Sequence, residues 1–149
     1  MRDSLHPSSP STESQLSVDG PIILPALLLC DFGHLDDEIG RLEAAGAKAL
    51  HLDVMDGLFV PQLTYGLVVV EAVRRAATVP IEVHMMVERP DESAIQYARA
   101  GADIVTVHIE GLTKTKETLA AIEATGSQAH LAISPGTPAV SNTHLTLPT

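Results

Sequence analysis

Between residues 51 and 86 the sequence places two histidines and an aspartate in a pattern that suits a divalent cation. His51, Asp53 and Met55 alternate with Leu50, Leu52 and Val54, and in an extended strand alternate side chains point to opposite faces. The first three therefore share one face and the aliphatic three the other. A second run, Ile81, Glu82, Val83, His84, Met85 and Met86, carries His84 near its end. If the two runs are neighbouring strands, His51, Asp53 and His84 converge. Imidazole nitrogen with carboxylate oxygen suits zinc, iron(II), manganese or cobalt, and the charge of the ion would offset the cost of burying Asp53. Three protein ligands with an open position imply catalysis more than structure. Spacing alone leaves a second reading open, in which His51 and Asp53 are a hydrogen-bonded core pair without an ion. Met55, Met85 and Met86 read, by composition, as core fillers more often than as substrate walls. Glu82 needs a cationic partner that the sequence does not name. His108 reads as a core residue or a support behind a ligand, Asp31 and Asp56 as holders of loop backbone, and Cys30 as a small buried hydrophobe.

The elements that must position these residues are strand and helix units in alternation, the signature of a parallel sheet. Nearly continuous apolar runs predict strands at residues 22–28, 49–54, 81–85, 104–108 and 129–133, because a parallel strand is covered on both faces. Amphipathic stretches predict helices at 35–45, 67–77, 93–100 and 114–124. Three of these end beside a glycine, Gly46, Gly101 and Gly126, the residue type favoured just past a helix C-terminus. The Ala-Gly-Ala turn at 45–47 recurs at 100–102, which suggests one supersecondary unit reused. In a (β/α) barrel the helices demand apolar partners outside, so His51, Asp53 and Met55 should face the interior near the C-terminal mouth, where such proteins carry their sites. Asp91, after Pro90, suits a helix start, and residues 114–117 read as a solvated helix opening.

Composition narrows the partners. Lysine plus arginine total 9 against 19 aspartate plus glutamate, a formal net charge of −10, the wrong sign for a nucleic-acid footprint. The most apolar stretch, 22–30, is far short of the roughly 20 residues that span a bilayer and contains Pro25, so a membrane partner is not expected. A single cysteine and an N-terminus without a signal-type segment predict a cytoplasmic location. Residues 1–20, rich in serine and proline, read as a disordered leader. Residues 21–138 form one domain, and 139–149 read as a tail without helical periodicity.

The run His51, Leu52, Asp53, Val54, Met55, Asp56, Gly57, with Phe59, Val60, Pro61, Leu63, Thr64 and Gly66 following, resembles the signature of ribulose-phosphate 3-epimerases. Val83 to Val87 resembles a second motif, and Ala100 to Asp103, Thr106 to His108 and the Ser134 to Thr137 loop continue the match in order. The resemblance implies a (β/α)8 TIM barrel of the ribulose-phosphate-binding type and an isomerase of the pentose phosphate pathway. Such an enzyme interconverts D-ribulose 5-phosphate and D-xylulose 5-phosphate by moving the proton at carbon 3 through an ene-diolate. It further implies that Asp53 is an acid/base and a metal ligand, that His51 and His84 are further ligands touching substrate, and that Met55 and Met86 line the cavity. The metal would stabilise the oxyanion that follows proton loss.

Two departures from the family pattern carry consequences. Ala26 and Leu29 stand where family members carry serines, so one substrate contact is absent, and weakened activity or preference for a related ketose phosphate is the expectation. A whole barrel takes about 200 to 250 residues, and the recognisable part ends after the fifth expected strand. The second catalytic aspartate and the phosphate loops are therefore expected to be missing, leaving an inactive fragment that a homo-oligomer would have to complete. The competing readings are a non-catalytic phosphosugar- or metal-binding module and a purely structural barrel fragment.

Overall fold

The aliphatic runs form four strands, β1 (Leu50–Met55), β2 (Ile81–Met86), β3 (Ile104–His108) and β4 (Gln128–Ala132), in a computed structural model that describes residues 20–138. The expectations for the leader and for residues 139–149 lie outside the described residues. All three pairings are parallel, and the strands lie side by side in chain order. Between them run α1 (Leu35–Ala44), α2 (Leu67–Ala76), α3 (Pro90–Arg99) and α4 (Thr115–Glu123).

Burial alternates strictly along β1 and β2. Leu50, Leu52, Val54, Ile81, Val83 and Met85 are fully covered and belong to one core with Ile39 of α1, Val70 and Val73 of α2, Ala94 of α3 and Ile122 of α4. The helices therefore sit on the aliphatic face. The opposite face carries His51, Asp53 and Met55 of β1 and Glu82, His84 and Met86 of β2, all partly buried.

Three glycines close the helices as the sequence suggests. Gly46, Gly101 and Gly126 have φ of 94°, 110° and 95°. After α1, Gly46 donates to the Glu43 carbonyl and Ala47 to that of Leu42, and Gly101 and Ala102 repeat the arrangement on Ala98 and Tyr97 after α3. Each pair satisfies carbonyls that the helix end would otherwise leave free.

Most expected boundaries shift by only one residue, but two differ more. The first segment, 22–28, does not form a strand. Only Ala26 bridges to His51, the His51 N–H donates to the Pro25 carbonyl at 2.9 Å, and Leu27–Leu29 winds into a 3₁₀ turn. Pro25 has no N–H to give to a ladder, so the segment can accept from β1 but cannot pair along its length. The sheet among the described residues thus has four strands rather than five. The third helix begins at Pro90 rather than 93, because proline is well suited to a first helical position, where its missing N–H has no partner to lose.

Carboxylates stitch the loops on the C-terminal side. Asp56 accepts from the N–H groups of Leu58 and Phe59 in its own loop and of Glu88 in the loop after β2. Asp91 on α3 accepts from Thr113 N–H and hydroxyl and from the Thr118 hydroxyl, and so ties α3 to the chain entering α4, whose own N-cap side chain makes no capping bond. Among the described residues no helix is long and apolar enough to cross a membrane.

Candidate functional site

His51 and Asp53 share a face of β1 by alternation, and the register places Asp53 directly beside His84 of β2. Asp53 Oδ1 lies 3.1 Å from His51 Nε2 and 3.3 Å from His84 Nδ1. One ligand atom from each of the three residues falls within 4.8 Å of the other two. With bonds of about 2.1 Å, neighbouring ligands are about 3.0 Å apart on an octahedral ion and about 3.4 Å apart on a tetrahedral one. The two separations from Asp53 fall within that interval and the third stays within 4.8 Å, so the three residues are a candidate donor set for a divalent cation.

The loop after β1 fixes the carboxylate's backbone. The Asp53 N–H donates to the Tyr65 hydroxyl, the Thr64 hydroxyl donates to the Asp53 carbonyl at 2.7 Å, and Met55 N–H donates to the same hydroxyl oxygen of Thr64. Burial pushes the Tyr65 phenol up to about 12, so it stays protonated beside Asp53. The sequence offered Leu63 and Thr64 only as parts of a motif. Their structural task, closing the end of β1, has no signal in strand or helix periodicity.

Glu82 finds its cation within the site. Its Oε2 lies 2.8 Å from His51 Nδ1, and its Oε1 accepts from the Thr106 hydroxyl of β3 at 2.7 Å. The hydrogen bond with His51 outweighs burial and holds the Glu82 carboxyl down to about 2. The same bond, aided by Asp53, raises the pKa of His51 against the effect of burial. A carboxylate behind one imidazole nitrogen orients the other and makes it more basic. His84 behaves oppositely: burial, then the neighbouring His108 and His51, lower its pKa despite the attraction of Asp53. His108, buried at the end of β3, sets its Nε2 2.9 Å from His84 Nε2 and stacks on that ring at 5.0 Å.

Met55 and Met86 stand one alternation beyond Asp53 and His84, at the mouth. There they line an apolar hollow of about 840 Å3 with Phe32, Thr64, Tyr65 and Leu29. Leu29, at one of the two departures noted above, is 94% exposed at its rim. Ala26, the other, faces the site only through its backbone bridge to His51. Met85 belongs instead to the core under the helices. Cys30 packs against that core as well, and burial raises its thiol pKa.

A parallel sheet covered by helices on one face, with a histidine and aspartate cluster on the other, defines a (β/α)-barrel protein with a candidate metal site. The sequence profile described as the Ribulose-phosphate 3 epimerase family matches residues 22–147, and the chain belongs to that family, whose fold is the TIM barrel. The match runs past Pro138, where the recognisable resemblance was expected to stop. Among similar proteins, the ribulose-phosphate 3-epimerase of Bacillus subtilis (strain 168) is 42% identical over 116 residues, which is 78% of this chain and 54% of that protein. That of Mycobacterium tuberculosis (strain ATCC 25618 / H37Rv) is 43% identical over 122 residues, 82% and 52% of the two chains. The chloroplastic ribulose-5-phosphate-3-epimerase of Arabidopsis thaliana is 38% identical over 119 residues, 78% and 42%. The chain spans about half the length of the curated relatives it matches.

Proposed function

We propose that this chain carries one side of the active site of an epimerase that interconverts D-ribulose 5-phosphate and D-xylulose 5-phosphate. The observation that carries the reading is Asp53 Oδ1 set 3.1 Å and 3.3 Å from ring nitrogens of His51 and His84 on one face of two adjacent parallel strands. Family membership and the names of the relatives support the reaction class.

In this reading His51, Asp53 and His84 would hold a divalent cation, zinc, iron(II), manganese or cobalt. When bound, the ion supplies Lewis-acid stabilisation of the oxyanion that develops as the proton leaves. Asp53 takes the proton from carbon 3 as a general base, its backbone held by Thr64 and Tyr65. Met55 and Met86 form the apolar wall that keeps water from the reacting carbon. At the rim, Leu29 offers contact but no hydrogen bond to a sugar hydroxyl, which favours a related ketose phosphate as a second substrate to assay. A cytoplasmic setting is part of the reading and is supported by the free thiol of Cys30.

Metal analysis of the purified chain tests the proposal. Wild type is expected to retain stoichiometric zinc or manganese, and His51→Ala and His84→Ala to lose it. Equal metal content in all three proteins would overturn the site and leave a hydrogen-bonded core cluster.

A further inference from the structure

Thr106 of β3 lies in register with His84, so Asp53, His84 and Thr106 form one row across three strands. Its strand neighbours Val105 and Val107 belong to the core under the helices, which turns Thr106 to the site face by alternation. The hydroxyl does not reach along its own row. It turns toward a position two residues back on β2 and donates to Glu82 Oε1 at 2.7 Å. The other oxygen of that carboxylate, Oε2, lies 2.8 Å from His51 Nδ1. Glu82 is thus held through one oxygen by β1 and through the other by β3.

The second anchor matters because glutamate is a long side chain that loses much rotamer freedom when it is fixed. Held by a single hydrogen bond, its carboxylate can swing, and the imidazole it supports swings with it. Anchors on both oxygens, from strands on opposite sides, remove that freedom before any ligand arrives. Threonine suits the outer anchor: its β-branched side chain is stiff about χ1, and its backbone is fixed in the ladder between β2 and β4. The Glu82 side chain is only 16% exposed. An oxygen released by Thr106 would therefore find little water as a replacement partner, and the strain would fall on the contact with His51.

We propose that Thr106 is a positioning residue that fixes the Glu82 carboxylate and, through it, the orientation of the His51 ring. The line of contacts runs from the Thr106 hydroxyl through Glu82 to His51 Nδ1 and leaves His51 Nε2 facing Asp53 at 3.1 Å. The effect is directed at one histidine. Thr106 is the register neighbour of His84, yet among the described residues its hydroxyl bonds only to Glu82. Use of the fixed ring to hold a cation rests on the metal reading above; the fixing does not.

Carbon-13 relaxation of the histidine rings and nuclear Overhauser contacts in the metal-free full chain test this directly. Thr106→Val, which keeps the shape without the hydroxyl, should weaken the contacts between the His51 ring and the Glu82 side chain and raise the mobility of that ring. His84 should stay as in the wild type, and Thr106→Ser should restore His51. Zinc affinity measured by chelator competition should fall about tenfold in Thr106→Val and recover in Thr106→Ser. In a Glu82→Ala background, Thr106→Val should change zinc affinity no further, because its route runs through Glu82. Unaltered His51 contacts in Thr106→Val would overturn the proposal, as would equal loosening of His51 and His84, or an undiminished effect of Thr106→Val without Glu82. A wild-type chain with the expected ring contacts, lost in Thr106→Val, and no zinc uptake upholds the positioning role and defeats the metal reading instead.

Discussion

At the scale of single residues, the balance of charge between Glu82 and His51 governs the site face before any ion arrives. Glu82 is held at about 2 against an ordinary 4.5. Its contribution to stability is present above pH 4.5 and is lost as the pH falls from there toward 2. The pKa of His51 is raised above its ordinary 6.5, so its contribution is present below 6.5 and is lost as the pH rises through the raised value. In the metal-free chain the stability gap between wild type and Glu82→Gln, read from urea midpoints, should be widest between about pH 4.5 and 6.5 and shrink on both sides. A gap independent of pH would show that the pair is not ionic. His51, Asp53 and His84 were legible in sequence because strand alternation sorts faces without any tertiary knowledge. Glu82's partner was not: a cross-strand pair depends on register, and nothing local to Glu82 indicates that His51 stands opposite.

At the scale of elements, the strand and helix units were readable from apolar periodicity, and their failures have local causes. The segment around Pro25 is as apolar as a strand, yet one missing N–H and a turn at Leu27–Leu29 keep it out of the ladder. Asp91 stands in the first turn of its own helix after Pro90, as expected, and its hydrogen bonds reach further, to Thr113 before α4 and Thr118 within it. Asp91→Ala should therefore destabilise the chain by about 1 to 2 kcal/mol, the cost of leaving its hydrogen-bonding partners unpaired, and amide exchange should quicken at Thr113 and Lys114 ahead of α4 rather than in the first turn of α3. Loss of protection confined to α3 would contradict this. The helix-closing glycines make a graded test. At Gly126 an added Cβ meets open space and only the positive φ is penalised, whereas at Gly101 it would run into the Arg74 side chain. Arg74 pairs with Asp103, which also accepts the Ile81 N–H that opens β2. Gly126→Ala should cost about 1 to 2 kcal/mol for the backbone alone, and Gly101→Ala about 1 kcal/mol more. Equal costs in chemical denaturation would mean that Arg74 yields freely.

At the scale of the whole molecule, the described sheet is open, and burial falls off toward its last strand. β1 and β2 bury every second residue, while β4 has none fully buried. The side chains of His51, Asp53 and His84 keep 21%, 15% and 22% exposure on the face of the described sheet opposite the helices. The purified 149-residue chain is accordingly expected to show no epimerase turnover in a coupled assay, even when loaded with metal. Measurable turnover would show that association of copies closes the site. The sheet order has a consequence in time as well as in space. Each strand pairs with the one made just before it, and His51, Asp53, Glu82 and His84 all lie on the first two. At about 5 to 20 residues per second, these groups leave the ribosome several seconds ahead of β4. The ligand cluster can thus assemble on the nascent chain while later strands are still being synthesised, and a cation captured at that stage would cross-link β1 to β2 and act as a nucleus for the strands that follow.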